Sequence, residues 1–331
     1  MFLLRFCLFW GVVLSFLPLL QGLEPRVSGF DAFALQFAVG NLVLVLVLLA
    51  FRRRLRSYRW WAVAGLAGAI WSTATVWPEI TFRGVQPVDG PVLRVVNANV
   101  WYKNRDLAQV VDCLSAQNAD IVGLVELTPA SKAALAPLTA LYPYSIDCVD
   151  RDPSCQEMLL SKLPLGNGFA GRIGESFTYA AEGDIAWQGR KVRVTVTHVS
   201  PPAYMPYRAA DEPEVLLLPG TAALWQSQQV AVLARHLGST DNMDRIVLGD
   251  FNSAPWNPLQ RAFRAATGLE NRGAFQSTWA PSWPSWHPFF ARIPIDPVFT
   301  GDALAIRELT VGPDIGSDHR PVVAEIAISS Q

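Results

Sequence analysis

The sequence predicts an α+β domain, its sheets packed against each other with helices outside, set behind an amino-terminal group of transmembrane helices. Long charge-free apolar stretches crowd the first quarter of the 331 residues. From Val92 onward, short apolar strands alternate with helical segments in the mixed order that suits such packing. The expected boundaries are a transmembrane region over 1–78, a linker over 79–91 and a globular domain over 92–331.

Phe6 to Leu23, Ala32 to Phe51 and Trp60 to Pro78 contain no charged residue. A helix needs about 20 apolar residues to cross the hydrocarbon core. The middle stretch meets that length, the first contains Pro18, and the third is the weakest because Ala, Gly, Ser and Thr dilute it. Its Trp60, Trp61, Trp71 and Trp77 suit interfacial belts or helix packing. The RRRLRSYR segment between the second and third stretches carries five Arg, and positive loops stay in the cytoplasm. Three spans then put everything after Trp77 outside. The expectation is a multi-pass protein of the inner or plasma membrane with its globular domain extracytoplasmic. With only two spans the domain moves to the cytoplasmic side. A cleaved signal peptide competes for the first stretch, but no small-x-small site precedes Glu24. Pro87, Gly90 and Pro91 mark the linker.

Hydrophobic residues make up 51% of the chain and charged ones 17%. Seven Arg and two acids precede Pro78, so the totals of 27 basic and 28 acidic residues leave 20 and 26 for the remainder, a net charge near −6. A non-specific nucleic-acid binder usually presents a basic surface, so bulk DNA or RNA is disfavoured as a partner. Cys7 lies in the first apolar stretch and Cys113 reads as a small buried residue. Cys148 and Cys155 flank a polar loop and form either a disulfide in an oxidising compartment or two free thiols.

Within the domain, LRVVNANV and IVGLVE read as buried strands, with helical spacing between them from Asp106 to Gln117. MLLS, Phe177 to Ala186 and KVRVTVTHV follow as strands; Val192, Val194 and Val196 share one face. Gly220 to Leu237 reads as a helix, RIVLGD as a strand entering a turn. PIDPVF, Leu304 to Val311 and PVVAEIAI close the chain as strands. Polar residues recur where these strands end: Asn97 and Asn99, Glu126, His198, Asp250 and Asn252 in GDFNS, Asp296, and Asp318 with His319 in GSDHRP. Any one alone reads better as a cap, a turn or, for His198, a hydrogen-bonded core residue. Together they gather acid, amide and imidazole groups at the ends of five or six strands. Hard oxygen ligands suit Mg²⁺ or Mn²⁺. No zinc spacing, phosphate-binding glycine loop or GxSxG elbow occurs.

The ordered segments NANVW, VGLVELTP, LLSKLPL, THVSPP, VLGDFNSAPW, PIDPVF and GSDHRPV resemble the endonuclease/exonuclease/phosphatase superfamily, over roughly Val92 to Ile328. GDFNSAPW and GSDHRPV in this order are the most specific, and the arrangement resembles bacterial members with amino-terminal membrane helices. The resemblance implies a four-layer sandwich of two face-to-face sheets flanked by helices, and a divalent-metal-dependent phosphoesterase. It implies Glu126 as principal metal ligand, with Asn99 and Asp318 nearby. Asp250 and Asn252 would orient or deprotonate water and hold a phosphate oxygen. His319 would be the catalytic imidazole, its tautomer fixed by Asp296, and His198 would protonate the leaving oxygen or bind phosphate. Many relatives have His after the Asp of the IDH motif; here Pro297 replaces it.

The aromatic stretch FQSTWAPSWPSWHPFFARIP precedes Asp296 and reads as a stacking platform, a lid near lipid headgroups, a sugar-binding face or a proline-braced structural loop. YMPYR reads as a second loop near the site, AADEPEVLLLPG as a surface or membrane-proximal excursion. The expected substrate is a phosphate ester: a lipid headgroup or small phosphoester first, a nucleic acid second. No obligate protein partner is expected beyond the lipid bilayer. A non-catalytic membrane scaffold is the reading the intact site disfavours.

Overall fold

The computed structural model describes residues 2–21, 23–54, 57–80, 89–174, 177–202, 206–207, 215–216, 219–238, 243–270 and 280–329. YMPYR and AADEPEVLLLPG fall mostly, and the start of the aromatic stretch wholly, outside the described residues.

Among the described residues, two sheets lie face to face. The first contains β1 (Leu93–Asn99), β2 (Ile121–Val125), β3 (Tyr144–Asp147) and β4 (Met158–Ser161) together with two strands from the end of the chain. The second contains β5 (Gly166–Ile173), β6 (Thr178–Trp187) and β7 (Arg190–His198). A two-residue ribbon, β8 (Pro206–Tyr207) with β9 (Val215–Leu216), stands apart. β10 (Asp244–Asp250) and β11 (Val298–Thr300) complete the second sheet, β12 (Leu304–Val311) and β13 (Val322–Ile328) the first. The orders are β12-β13-β1-β2-β4-β3 and β11-β10-β7-β6-β5. β1 runs parallel to β2, and β7 parallel to β10. These two parallel pairs aim four strand ends at one place.

The alternation of apolar residues explains the layers. Val95, Ile121, Leu159, Val192, Val194, Val196, Ile246 and Leu248 fill the space between the sheets. Gly123 permits the close approach: a Cβ there would come within 3.0 Å of Val196 Cγ2 and 3.1 Å of Leu248 Cδ1. The opposite face of the first sheet buries Val96, Ala98, Val122 and Leu124 against α4 (Leu107–Gln117) and the short α5 (Pro129–Ala134). The opposite face of the second buries Ala180 and Val247 under α6 (Pro219–Gly238) and α7 (Pro258–Thr267). The fold is the expected sandwich. The alternation expected in β7 holds on its inner face, but Thr195 and Thr197 on the other are buried too, because α6 covers them.

Three helices precede the sandwich: α1 (Phe2–Phe16), α2 (Ala34–Ala50) and α3 (Tyr58–Ile80), with α3 packed on both others. Two segments, Phe2–Leu20 and Phe30–Ala50, are long and apolar enough to cross a membrane. The expectation of three such spans is therefore met by two. α3 is the longest at 23 residues, but its Ala, Gly, Ser and Thr lower its hydropathy. The bundle buries polar side chains beside the apolar cluster of Leu8, Val45, Leu48 and Ala62. Asn41, Ser15 and Ser72 are buried, and Asn41 Nδ2 donates to Ser15 Oγ at 2.8 Å and to the Gly11 carbonyl at 3.2 Å. Phe2, Leu3, Phe9, Val43, Leu46, Val63 and Ile70 are exposed. Gly65 and Gly68 let α3 approach Val45 and Asn41 of α2.

The expected linker starts inside a helix. α3 continues through Pro78 to Ile80, and Glu79 is buried in an ion pair with Arg264 of α7. The bundle docks on the sandwich elsewhere too: Trp256 Nε1 donates to the Asp31 carbonyl at 2.5 Å, and Asn257 Nδ2 to Asp31 Oδ1 at 3.0 Å. Cys148 and Cys155 are joined in a disulfide, which settles the alternatives left by their spacing.

Candidate active site

Register places the polar residues. The β1–β2 pairing sets Asn99 beside Val125, so Glu126 follows at the same edge. The β7–β10 pairing sets His198 beside Asp250. Gly249 makes this possible: its φ is +149°, and a Cβ there would overlap the Thr197 carbonyl oxygen. Glu126 and Asn252 adopt left-handed φ values of 59° and 48°, a conformation that costs energy for a residue with a Cβ. The expected PIDPVF strand starts later than its first residue: Asp296 lies in the approach to β11, which begins at Val298.

The side chains converge. Asn99 Nδ2 donates to Glu126 Oε1 at 2.8 Å and to Asp250 Oδ2 at 3.1 Å. His198 Nε2 lies 3.8 Å from both Glu126 Oε1 and Asp250 Oδ2. Asn252 donates its backbone N–H to Asp250 Oδ1 at 2.7 Å, and its amide lies 3.3 Å from His198 Nε2. His319 Nδ1 meets Asp296 Oδ2 at 2.8 Å, leaving Nε2 3.5 Å from Asp250 Oδ2. Two groups have ligand atoms close enough to share one ion: Glu126, His198 and Asp250, and Asp250, Asp296 and His319. Asp318 is in neither group. Its Oδ1 is buried without a hydrogen-bond partner, as is Asp296 Oδ1.

Burial and charge push these groups apart. Burial lowers the pKa of His198, against the opposing pull of Glu126, and keeps it neutral. Burial would lower His319 as well, but the Asp296 and Asp250 carboxylates raise it to about 10, so it stands as an imidazolium. Asp250 is pushed well up by burial and by the charges of Asp296 and Glu126. Asp318 is pushed up to about 6 by burial and by Glu126. The two histidines, similar in sequence, thus occupy opposite protonation states.

A profile of the Endonuclease/Exonuclease/phosphatase family matches residues 96–319, more than half of the chain. The chain belongs to this family. Family members are hydrolases of phosphoester bonds. Solved structures agree on the fold. The endonuclease/exonuclease/phosphatase from Bacteroides vulgatus is 14% identical, covering 72% of this chain and 100% of its own, with a TM-score of 0.57. The family protein from Bacteroides thetaiotaomicron is 16% identical over 73% and 98%, with a TM-score of 0.52. The human nocturnin catalytic domain, solved with a bound sulfate anion, is 17% identical over 74% and 97%, with a TM-score of 0.50. Identities this low show the shared fold. No curated protein matches in sequence.

Several residues around the family's site escaped sequence reasoning. Ser282 Oγ donates to Asp296 Oδ2, fixing the carboxylate that holds His319. Ser317 Oγ donates to the Asn99 carbonyl at 2.7 Å and accepts the His319 N–H at 3.1 Å. Gln226 Nε2 donates to the carbonyls of Phe251 and Asn252, bracing GDFNS from α6. Glu157 is buried and accepts backbone N–H groups, that of His198 among them. Asn97, singled out in the sequence at the end of its strand, ties the sheets by donating to the Gly249 carbonyl at 2.8 Å, and more weakly to that of Pro297. Among the residues the sequence did not single out, only Ser317 carried a signal, its place within GSDHRP. The others lie on segments whose pairing partners sequence does not name.

Proposed function

We propose that this chain is a membrane-anchored, divalent-metal-dependent phosphoesterase that hydrolyses its substrate by in-line attack of water. The observation that carries this reading is the meeting of Asn99, Glu126, His198, Asp250, Asn252, Asp296 and His319 from both sheets at one edge of the sandwich.

The donor set fits a hard cation. Glu126, with Asn99 and Asp250 beside it, would hold Mg²⁺ or Mn²⁺, and the buried, unpartnered Asp318 Oδ1 adds an oxygen suited to the same ion or its water. When bound, the cation neutralises charge on the phosphate oxygens. Asp250 and Asn252 orient or deprotonate the attacking water and bind phosphate. His319, held in one orientation by Asp296, presents a positively charged Nε2 to the phosphate. Neutral His198 would hold a phosphate or leaving oxygen through a ring N–H hydrogen bond.

The outer surface of the bundle supports membrane anchoring: Phe2, Leu3, Phe9, Val43 and Leu46 are exposed, while polar Asn41, Ser15 and Ser72 are buried inside, the first two hydrogen-bonded to each other, as suits helices packed in lipid. A disulfide between Cys148 and Cys155 supports an oxidising, extracytoplasmic site for the domain.

The test uses full-length protein and bis(4-nitrophenyl) phosphate with Mg²⁺. Hydrolysis should stop with chelator and fall about 10²- to 10⁴-fold in His319→Ala. Chelator-resistant turnover, or a His319→Ala rate equal to the native one, overturns the reading.

A further inference from the structure

The segment from Ser282 to Ile293 has two ends with different chemistry. Its base belongs to the site. Ser282 donates to Asp296, Ser285 N–H donates to the Asp318 carbonyl at 2.8 Å, and the Trp283 ring lies 6.5 Å from that of His319. Its tip is apolar and largely exposed: Trp286 is 64% exposed, Phe289 52% and Phe290 76%. Single exposed aromatics are ordinary, but three within five residues form a patch.

The tip is fastened to the membrane bundle. Gln36 Nε2, in the first turn of α2, donates to the Arg292 carbonyl at 2.9 Å and to the Phe290 carbonyl at 3.4 Å. That contact fixes a depth. α2 has 17 residues, so at 1.5 Å per residue it covers about 26 Å, slightly less than the roughly 30 Å hydrocarbon core. Lipid must therefore reach its first turn, where Gln36 sits. The backbone of Phe290 is at the same level, and its ring faces away from the protein. From Ser285 to Phe290 the chain spans at most about 17 Å, so the metal-binding residues cannot stand far above the headgroups.

We infer that Trp286, Phe289 and Phe290 form a lipid-inserted rim that holds the site against the headgroup layer, and that the substrate is a phosphate ester of a lipid in the same bilayer. The inference rests on the membrane-anchored phosphoesterase reading above. The rim lies outside the groups that bind metal or move protons, so its loss should separate lipid from soluble substrates.

The experiment uses the full chain in phosphatidylethanolamine–phosphatidylglycerol vesicles. For insertion, Phe290→Cys in a Cys7→Ser, Cys113→Ser background is labelled with an environment-sensitive nitrobenzoxadiazole dye. Its emission should shift to the blue and be quenched by lipids brominated near the glycerol end of their chains. Water-like, unquenched emission overturns the rim whether or not the protein is an enzyme. For substrate class, phosphatidylglycerol, phosphatidylinositol and sphingomyelin vesicles are compared with bis(4-nitrophenyl) phosphate. The triple variant Trp286→Ser, Phe289→Ser, Phe290→Ser should lose about tenfold or more in lipid turnover while the soluble ester is hydrolysed at the native rate. Native protein that cleaves the soluble ester but none of the lipids, or a variant that loses both activities equally, overturns the lipid assignment.

Discussion

Replacing Glu79 by Ala removes the two-pronged acid partner of a buried guanidinium and leaves it only the longer contact to the partly exposed Glu270, at 3.3 Å. Arg264 and Glu79 side chains are 5% and 3% exposed, and they meet as a two-pronged pair at 2.7 and 2.9 Å. Arg261 adds a third contact to Glu79 at 3.1 Å and donates to the Thr75 carbonyl at 2.7 Å. Losing one member of a buried pair costs about 3–5 kcal/mol, against less than about 1 kcal/mol for an exposed one. Because the pair joins the end of α3 to α7, the cost should appear as local opening of that junction. Hydrogen exchange of the full chain in detergent micelles reads it directly. At 3–5 kcal/mol, amides in the last turns of α3 and in α7 should exchange about 150- to 5,000-fold faster, while β1, β2 and β10 keep native rates. Glu79→Leu combined with Arg264→Met should restore most of the protection, since an apolar pair of similar volume leaves no buried charge. Exchange within about fivefold of native in Glu79→Ala would show that the bundle and the sandwich are not locked through this pair.

Two further outcomes follow from buried acids. Near pH 6, Asp318 is partly protonated in the metal-free site, and Mg²⁺ binding must displace that proton. Calorimetry in buffers of different ionisation heat should therefore show proton release on Mg²⁺ binding that shrinks toward about pH 8; release that does not change with pH refutes this. Burial pushes Glu157 up to about 7 from an ordinary value of 4.5. An acid with a raised folded-state pKa binds more protons folded than unfolded between those values, so stability falls as pH rises from about 4.5 to about 7, by roughly 3 kcal/mol. Glu157→Gln should flatten that slope in thermal melts recorded across this range, and an unchanged slope would assign it to other groups.

The parallel-strand core was legible because its signals are local. Val192, Val194 and Val196 alternate, LRVVNANV and IVGLVE are continuous apolar runs, and polar residues sit where those runs stop. β3 and β5 were not legible. β3 is an edge strand of half-exposed residues, and β5, GNGFAGRI, carries three glycines on a largely exposed face, so neither shows the apolar period that marks a strand. α7 did carry readable signs: Asn257 as cap, Pro258 in the first turn and Gly268 beyond its end. The candidate site residues stand out as a set because each lies at or near one end of a strand. Their support, Ser282 and Gln226, could not be read, because a serine or glutamine becomes a positioning group only when folding brings it to Asp296 or to the carbonyls of Phe251 and Asn252. The end of α3 failed for a similar reason. Pro78 looks like a stop, and only the Arg264 partner, far along the chain, explains why the helix carries Glu79 past it.

That partner also bears on what the amino-terminal helices do. A tether needs only to hold a domain near a surface, and a polar linker suffices. Here Asp31, just before α2, takes hydrogen bonds from Trp256 and Asn257, which lie four and five residues beyond Asn252. Ala254 and Trp256 pack with Ala32, Ala34 and Val76 of the bundle and with Ile293 and Ile295 beside Asp296. Gln260, in the first turn of α7, donates to the Ser253 carbonyl, so α7 braces the same loop that Arg264 and Glu79 lock to α3. The chain running from Asp250 to Asn257 is thus held on one side by the sheet and on the other by the bundle. Side chains that must stay within a fraction of an ångström of a working geometry are best carried on rigid elements. The helices thus serve as one wall of the scaffold that orients GDFNS.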